Sequence, residues 1–471
     1  MNEQDLYESI GQVDDDVLLR SDKKRRSSRP WWAAAAAAVL AAAIAVGIFF
    51  PGGPASTTAY AVTEASYPEM APYPNEMDAD FEAQYDAWQT DKRAQDRDPA
   101  YADGLEGYFR ASIPAFLSGA GTENRAYSPL NVYMALAMLA ELTGGESRDQ
   151  ILTLLGGDSI EALRAQANDL WNDHYSNDGA TTSILAGSLW LEDGVPFNQN
   201  TLNTLAQNYY ASSFRGDLDS PAMTEALQSW INDQTGGLLA DQVQNLKLSP
   251  DAILALVTTV CYQAKWSSRF SEENTAPQTF HSPVGDVTKD FMHTSFDGHY
   301  YWGDQFGAAG LSLANGGGTM WFLLPDEGVS PEDLLADPEA MDFLLSGGEW
   351  DQEKYLIVNL ALPKFDISSQ IDLGEGLQAL GVTDVFDPDR ADFSPMLSGS
   401  AEDLWLSEAK HGVRVAIDEE GVTAAAYTEM AISGAGAPPE NEIDFTLDRP
   451  FLFALTDTQG LPLFVGVVNQ P

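Results

Sequence analysis

The residues that could carry chemistry are few and widely spaced. The chain has five histidines: His174, His281, His293, His299 and His411. They show no metal-ligand spacing and no His-Glu-x-x-His motif. The run Gly310-Leu311-Ser312-Leu313-Ala314 comes nearest to a Gly-x-Ser-x-Gly nucleophile turn, but we interpret it as a strand. The single cysteine, Cys261, allows no intramolecular disulfide, and a buried inert thiol is favoured over a redox switch. We therefore expect no enzymatic activity, no metal site and no cofactor.

A period-2 pattern near the C-terminus is more informative. From Val422 to Ile432 the even positions carry small or apolar side chains and the odd positions carry more polar ones, as in a half-buried strand. Gly421 precedes this run, and Gly434, Gly436 and two prolines follow it, which indicates an exposed loop. An ordinary edge strand followed by a turn has the same pattern, so the alternation alone leaves both interpretations open.

Residues Glu419–Thr428 decide between them, because they resemble the reactive-loop hinge of the serpin family. Further serpin-like segments follow in the family's order: Asn124–Asn131, Gly144–Ile151, Trp230–Asn232, Lys265–Trp266, Leu362–Phe365, Asp448–Phe453 and Leu463–Pro471. The resemblance runs from about residue 98 to Pro471, and it points to an inhibitory, bacterial member of the family.

This resemblance implies an α+β serpin fold, with helices packed around three β-sheets and an exposed reactive loop, 419–439, that inserts into the central sheet. Local patterning agrees with the α+β class. It predicts helices near 101–117, 128–143, 200–210, 221–235 and 329–345. It predicts strands near 184–192, 252–266, 355–368, 404–418 and 441–469.

The implied function is covalent trapping of a serine protease after cleavage of the loop. In serpins the cleaved residue lies fourteen positions after the hinge glycine, and this spacing, counted from Gly421, implies the reactive bond Ala435–Gly436. Counting back from Pro438-Pro439-Glu440, which resembles the segment just beyond the bond in the family, implies the same bond. A small residue there suits an elastase-like protease, with subtilisin-like or chymotrypsin-like enzymes as further targets. Cleavage after Met430 or Ile432 would favour substrate behaviour instead. The alternative function is a non-inhibitory serpin-fold binding or carrier protein whose loop is only cleaved.

Three groups of residues would support insertion in the family's mechanism. The hinge comprises Glu419, Glu420, Gly421, Val422, Thr423, Ala424, Ala425, Ala426 and Thr428. The breach, at the top of the central sheet, comprises Trp266, Lys364 and Glu419. The shutter, at its centre, comprises Ser128, Asn131, Thr258 and His411. Asn131 stands where serine is usual and Thr258 where asparagine is usual, so an amide and a hydroxyl exchange places.

The N-terminal region predicts a membrane anchor. Residues 1–29 are a charged tail, and Trp31–Phe50 are twenty residues without a charge, long enough at ~1.5 Å per residue to cross a bilayer. The basic residues before this segment predict a cytoplasmic tail, a transmembrane helix over 30–50 and an extracellular C-terminal domain. A signal sequence cleaved near Ala61 is the alternative, giving a secreted protein. Residues 51–97 read as a Pro-rich acidic linker to the domain 98–471.

Charge restricts the partners. The chain has 24 basic and 71 acidic residues, a formal net charge of −47. The negative electrostatic potential of such a chain repels nucleic acid and anionic polysaccharide, although a high net charge also keeps a protein soluble. The segment Gly157–Arg164, where heparin-responsive serpins carry a basic helix, is short and mostly acidic. We expect a monomer that binds a serine protease, without nucleic acid or heparin.

Overall fold

The computed structural model describes residues 60–75, 78–95, 97–244, 246–248, 252–399, 404–406, 409–422 and 441–471. The predicted cytoplasmic tail, the apolar segment 31–50 and the loop from Thr423 to residue 439 lie outside these residues. These described residues all belong to one compact unit.

The helices of the described residues are α1 Phe81–Gln95, α2 Leu105–Leu117, α3 Pro129–Leu142, α4 Gly145–Leu155, α5 Ile160–His174, α6 Gln199–Asn208, α7 Pro221–Gln234, α8 Ala240–Val243, α9 Pro331–Ala336, α10 Pro338–Leu345 and α11 Gly374–Ala379. Their starts follow from capping chemistry. Ser128 and Ser220 each accept a backbone N–H of the first turn and precede a proline, as expected at a helix N-terminus.

The strands are β1 Ala61–Thr63, β2 Arg125–Tyr127, β3 Ser176–Asn177, β4 Thr182–Glu192, β5 Ala211–Gly216, β6 Leu254–Lys265, β7 Thr275–Ser282, β8 Gly285–Trp302, β9 Phe306–Ser312, β10 Thr319–Pro325, β11 Glu353–Pro363, β12 Phe365–Asp372, β13 Lys410–Ile417, β14 Gly421–Val422, β15 Glu442–Thr446, β16 Phe451–Thr456 and β17 Pro462–Val468. Sheet A has the order β1-β5-β4-β6-β14-β13-β12, with β3 beside β4. Sheet B has the order β15-β11-β8-β9-β10-β16-β17-β2, with β7 beside β8.

The predicted mixture of helices and several sheets is confirmed, but the number of sheets differs from the expected three. Hydrogen bonding joins the described strands into two sheets because β8 is 18 residues long. Its first part pairs with β7, its last residues pair with β9, and β11 pairs along most of its length. One continuous strand therefore links two regions that a shorter strand would leave separate.

The core surrounds α3, which is buried along almost its whole length. This helix is apolar on every face, so it has no solvent-facing stripe, and it packs against β6 and β17. Its first turn brings Ser128 and Asn131 to the centre of the molecule, beneath sheet A.

Residues 60–95, predicted as part of a linker, differ from that expectation. Strand β1 pairs with β5 and extends sheet A at its edge, and α1 packs beside β3. The Tyr67 ring lies 5.3 Å from the Trp171 ring, and buried Trp88 donates a hydrogen bond from Nε1 to Asp178. Because isolated aromatic residues rather than a periodic stripe make these contacts, periodicity gave no signal for them.

The predicted single-pass membrane location is corrected. Among residues 60–471, as far as the structure describes them, no helix is long and apolar enough to cross a membrane. The longest there, α1 and α5, have 15 residues each. They span about 22 Å, less than the ~30 Å hydrocarbon core of a bilayer.

Candidate functional site

The start of the predicted loop lies inside sheet A. Strand β14 pairs with β6 through Gly421 opposite Lys265 and Val422 opposite Ala264, and with β13 through Val422 opposite Ile417. Val422 is only 2% exposed, as the alternation predicts for an inward-facing hinge residue. The other hinge residues, Thr423, Ala424, Ala425, Ala426 and Thr428, and the predicted reactive bond Ala435–Gly436 lie outside the described residues.

Gly421 is required by close approach rather than by backbone angle. A Cβ atom at this position would lie 2.3 Å from the Ala264 carbonyl oxygen and 2.7 Å from the Lys265 Cα. Both atoms belong to the backbone of β6, so they cannot rotate away as a side chain would. A glycine therefore lets the chain leave the turn after β13 and lie directly against β6.

Below β14 the two strands beside it, β6 and β13, are not hydrogen-bonded to each other. Within the described residues, β6 and β13 have no ladder of their own and are joined through β14 alone. A cavity of about 180 Å³ lies there, lined by Leu256, Thr258 and Val413 of the two strands and by Leu227 and Ile231 of α7. The arrangement offers an apolar space where a further strand segment would continue β14.

The turn before β14 is held by Asp418, which the sequence interpretation missed. Its Oδ1 accepts the backbone N–H groups of Glu420 and Gly421 at 2.9 and 3.2 Å. An aspartate three residues before a glycine is a common turn signal, so this role was accessible from the sequence. The Asp418 carbonyl also accepts a 2.8 Å bond from Trp266 Nε1.

The three predicted breach residues come together at this turn. Lys364 Nζ lies 2.8 Å from Glu419 Oε2, while Thr275 donates from Oγ1 to Glu419 Oε1 at 2.7 Å. The backbone of Trp266 donates to the Glu420 carbonyl at 3.1 Å. Thr275 was not predicted, since nothing in its local sequence distinguishes it from other strand threonines.

The electrostatics of the breach favour the ion pair. Burial opposes ionisation of Glu419, but hydrogen bonds from Lys364 and Thr275 bring its pKa below the usual value. The bond to Glu419 in turn raises the pKa of Lys364, against partial desolvation. The Lys364 side chain is 38% exposed, so solvent screening limits the strength of the pair.

The shutter contains one well-formed contact. The backbone N–H of Ser128 donates to His411 Nε2 at 3.0 Å, and Ser128 Oγ donates to the Leu463 carbonyl at 2.6 Å. Burial lowers the pKa of His411 to about 4, because a charged imidazole would lose its hydration there. His411 is therefore neutral near pH 7, with the proton on Nδ1, and it connects α3 to β13.

Asn131 and Thr258, the other two predicted shutter residues, take no part in the hydrogen bond between Ser128 and His411. Asn131 is 1% exposed, and its backbone N–H donates to Ser128 Oγ, the helix cap. Its side-chain Nδ2 has no hydrogen-bond partner. Thr258 lies on β6 opposite Gly187 of β4, at the wall of the cavity between the strands. The proposed exchange of amide and hydroxyl between these positions remains a prediction.

One cluster of ligand-type side chains was missed altogether. Asp173, His174 and Asp457 place one carboxylate or imidazole atom each within 4.8 Å of one another. The first two are adjacent in α5, but Asp457 follows β16, so no local spacing could have indicated the group. All three residues line one polar cavity.

Comparison with known proteins agrees with this geometry. Residues 114–471 match the family model described as Serpin (serine protease inhibitor). The chain therefore belongs to the serpin family.

Individual relatives cover most of the domain. Serpin-Z2B of Triticum aestivum is 28% identical over 365 residues, which are 74% of this chain and 90% of that protein. A serine proteinase inhibitor of Cavia porcellus is 29% identical over 365 residues, covering 74% and 84%. The native state of the thermophilic serpin tengpin matches with a TM-score of 0.70 and 25% identity, covering 80% of this chain and 95% of tengpin. A bacterial source has no support among the plant and animal relatives.

Proposed function

We propose that the chain is a suicide inhibitor of serine proteases, cleaved between Ala435 and Gly436. The observation that carries this proposal is the position of β14. The first two hinge residues after the turn already lie between β6 and β13, above a cavity that continues in the same direction. A loop that inserts as a strand needs such an opening beneath its first residues.

The proposed mechanism follows from the chemistry of serine proteases. The protease serine attacks the Ala435 carbonyl, the amine of Gly436 leaves, and the chain up to Ala435 stays bound as an ester. The loop then enters sheet A as a strand and carries the protease with it. Displacement disturbs the oxyanion hole and the catalytic triad that hydrolysis of the ester requires, so the acyl-enzyme persists.

The hinge sequence suits this insertion. Residues facing the core of a closing sheet must be small or apolar, because a buried unpaired charge is costly. Val422, Ala424, Ala426 and Thr428 satisfy this condition in the predicted alternation, while Tyr427 and Glu429 fall on the outward face. A small Ala435 supports elastase-like proteases as the target class.

We also propose that inhibition needs no glycosaminoglycan. Helix α5 contains one arginine and no lysine among its residues. That arginine, Arg164, contacts Glu141 through two hydrogen bonds of 2.6 and 2.8 Å. This arrangement leaves little positive charge on the helix for a sulfated polysaccharide.

The decisive experiment mixes the full chain with pancreatic elastase and separates the products on a denaturing gel. We expect a covalent band at the summed mass and a released peptide that begins at Gly436 by mass spectrometry. Ala424→Arg places a charge on the inward face and should convert the inhibitor into a substrate cleaved at the same bond. Ala425→Arg, on the outward face, is the matched control and should still form the complex.

Rapid cleavage without a covalent band would contradict inhibition of elastase. The same result with chymotrypsin-like and subtilisin-like proteases would favour the non-inhibitory binding or carrier function. A covalent band with a released peptide that begins at another residue would keep the mechanism and correct the reactive bond.

A further inference from the structure

A polar cavity lies on the far side of sheet A from α7. It has a volume of about 450 Å³ and is bounded by the C-terminal end of α5, the turn between β16 and β17, and Tyr262 of β6. Asp173, His174 and Asp457 line it. These residues take no part in the loop, breach or shutter, so the cavity is separate from the proposed inhibitory machinery.

His174 has an orientation that metal-binding histidines commonly share. Its side chain is 2% exposed, and Nδ1 lies 2.8 Å from the Leu170 carbonyl, which can only accept a proton. Nδ1 is therefore the protonated nitrogen of the neutral ring, and Nε2 presents a lone pair. A hydrogen bond from the other ring nitrogen to a backbone carbonyl fixes the tautomer and orientation in many metal sites.

The buried lone pair of His174 has no hydrogen-bond partner. Asp457 Oδ2 is also buried and without one, although the two atoms are only 2.9 Å apart. Their alignment is thus wrong for a direct hydrogen bond, and both atoms are near enough to become ligands of one ion after a small movement. Zinc bonds of ~2.1 Å at the tetrahedral angle place two ligand atoms about 3.4 Å apart, so binding would widen the 2.9 Å gap by about 0.5 Å.

The carboxylates are held in place by other groups. Asp457 Oδ1 accepts the backbone N–H groups of Gln459 and Leu461 at 2.9 and 2.7 Å, which leaves Oδ2 free to face the histidine. Asp173 Oδ2 accepts a 2.5 Å hydrogen bond from Tyr101, and its Oδ1 accepts the backbone N–H of Arg97. Such outer contacts orient metal ligands and reduce their mobility.

Charge also favours a cation at this position. Two carboxylates and a neutral imidazole carry −2, and they lie at the C-terminal, partially negative end of α5. The nearby Lys92 is engaged by Asp178 at 3.2 Å, so its ammonium group is directed to a different carboxylate.

From these observations we propose that Asp173, His174 and Asp457 bind a divalent transition-metal cation of the Zn²⁺ type. One imidazole nitrogen with two carboxylate oxygens matches the ligand preference of Zn²⁺ and Co²⁺, whereas Ca²⁺ and Mg²⁺ prefer oxygen ligands alone. Water from the cavity completes the coordination. The ion links the end of α5 to the turn between β16 and β17, so it connects a helix beside sheet A to sheet B.

Direct binding to the full chain tests this proposal. The protein is stripped with a chelator, dialysed and titrated with Zn²⁺ in a calorimeter, and with Co²⁺ while visible absorption is recorded. We expect one ion per chain, Co²⁺ ligand-field bands that Zn²⁺ removes, and no displacement by equal concentrations of Ca²⁺ or Mg²⁺. Zn²⁺ should also raise the midpoint of thermal unfolding, because an ion bound only by the folded state stabilises it.

Variants assign the binding to the cluster. His174→Gln and Asp457→Asn should abolish stoichiometric binding, and Tyr101→Phe, which removes an outer contact of Asp173, should weaken it by ~10 to 100-fold. His299→Gln is the matched control, because His299 forms an exposed pair with Glu353 at 2.8 Å and should leave binding unchanged.

Crystals of the wild-type protein test the site directly, without relying on a variant that folds. Anomalous scattering at the zinc edge from crystals of the full chain should give a peak beside His174 Nε2. Absence of stoichiometric Zn²⁺ binding, or an anomalous peak elsewhere, would overturn the proposal and assign His174 and Asp457 to an ion pair of protonated imidazole and carboxylate. Inhibition of elastase is measured separately, so its failure and the failure of metal binding are distinguishable.

Discussion

The breach and the shutter tie strands β13 and β14 of sheet A to the elements around them by opposite physical means. At the breach, Lys364 and Glu419 are ionised, partly solvated and supported by Thr275 and by backbone groups of the turn. At the shutter, His411 is fully buried, neutral and bound to a backbone N–H of Ser128. The upper contact is therefore weakened by salt and strong acid, and the central contact is weakened by any condition that protonates a buried imidazole.

The largest expected effect is the pH dependence that His411 produces. Its pKa is about 4 in the folded protein against an ordinary 6.5, so the unfolded chain binds the proton first as pH falls. The contribution of His411 to stability is complete above pH 6.5 and decreases down to about pH 4, by about 3 kcal/mol over that range. Urea unfolding midpoints measured at several pH values check this slope.

His411→Gln removes the titration while keeping a side chain that can accept the Ser128 N–H. The variant should lose the part of the slope between pH 6.5 and 4. His293→Gln, at a histidine on β8, is the control. An unchanged slope in His411→Gln would place the acid sensitivity elsewhere and remove the distinction drawn between shutter and breach.

The next largest effect concerns the glycine at the top of the sheet. Gly421→Ala brings a Cβ against the backbone of β6, and overpacking of this kind costs about 1 to 3 kcal/mol unless β14 leaves the sheet. We expect a lower unfolding midpoint or faster hydrogen exchange at Val422. Gly412→Ala on β13, where a Cβ meets no atom within 4 Å, is the matched control. Equal effects of the two substitutions would show that close approach at Gly421 is unimportant.

A smaller effect is expected at the breach ion pair. Glu419→Gln should destabilise the chain by about 1 kcal/mol at neutral pH, since one partner is well exposed to solvent. The lowered pKa of Glu419 means that its contribution is present above its ordinary value of 4.5 and is lost as pH falls through the folded pKa.

The Glu419 contribution is lost at a lower pH than most of the range over which the His411 contribution is lost, so the two contacts are separable by pH. Glu420→Gln is the control, because Glu420 contacts the exposed Arg269 at 3.4 Å. Added salt should reduce the difference between the two variants. A salt-independent loss in Glu419→Gln would indicate that the hydrogen bond to Thr275, rather than the charge pair, stabilises the breach.

The smallest effect concerns Asn131 and Thr258, the two shutter positions at which an exchange of amide and hydroxyl is predicted. Asn131→Ser and Thr258→Asn restore the residue types usual in the family. If the two positions act together, a double-mutant cycle should give a coupling of at least about 0.5 kcal/mol. Unfolding midpoints of the four proteins provide the measurement. Additive effects would mean that Asn131 and Thr258 are independent, in agreement with the absence of a hydrogen bond from Asn131 Nδ2 to any described residue.

Much of the site was predictable because its signals are local. The alternation after Gly421 predicts a strand, and β14 with its buried Val422 is the part of that strand the structure describes. Ser128 and Pro129 predict the start of α3 at its observed residue. Between Thr275 and Pro325 only the end of β9 was predicted, from the run Gly310–Ala314. Strands β7 and β8 were missed because they are exposed on one face and carry polar residues that weaken the hydrophobic pattern.

The amino-acid sequence by itself predicted the serpin family and the α+β class, and it supplied the candidate hinge, breach and shutter residues. Only the tertiary structure decided which distant groups meet. It brings Thr275 to Glu419, Asp457 to His174, and the aromatic residues of 60–95 to the edge of sheet A. Short-range patterns record backbone geometry and burial, whereas these contacts depend on how separate elements pack, and that information is spread over the whole chain.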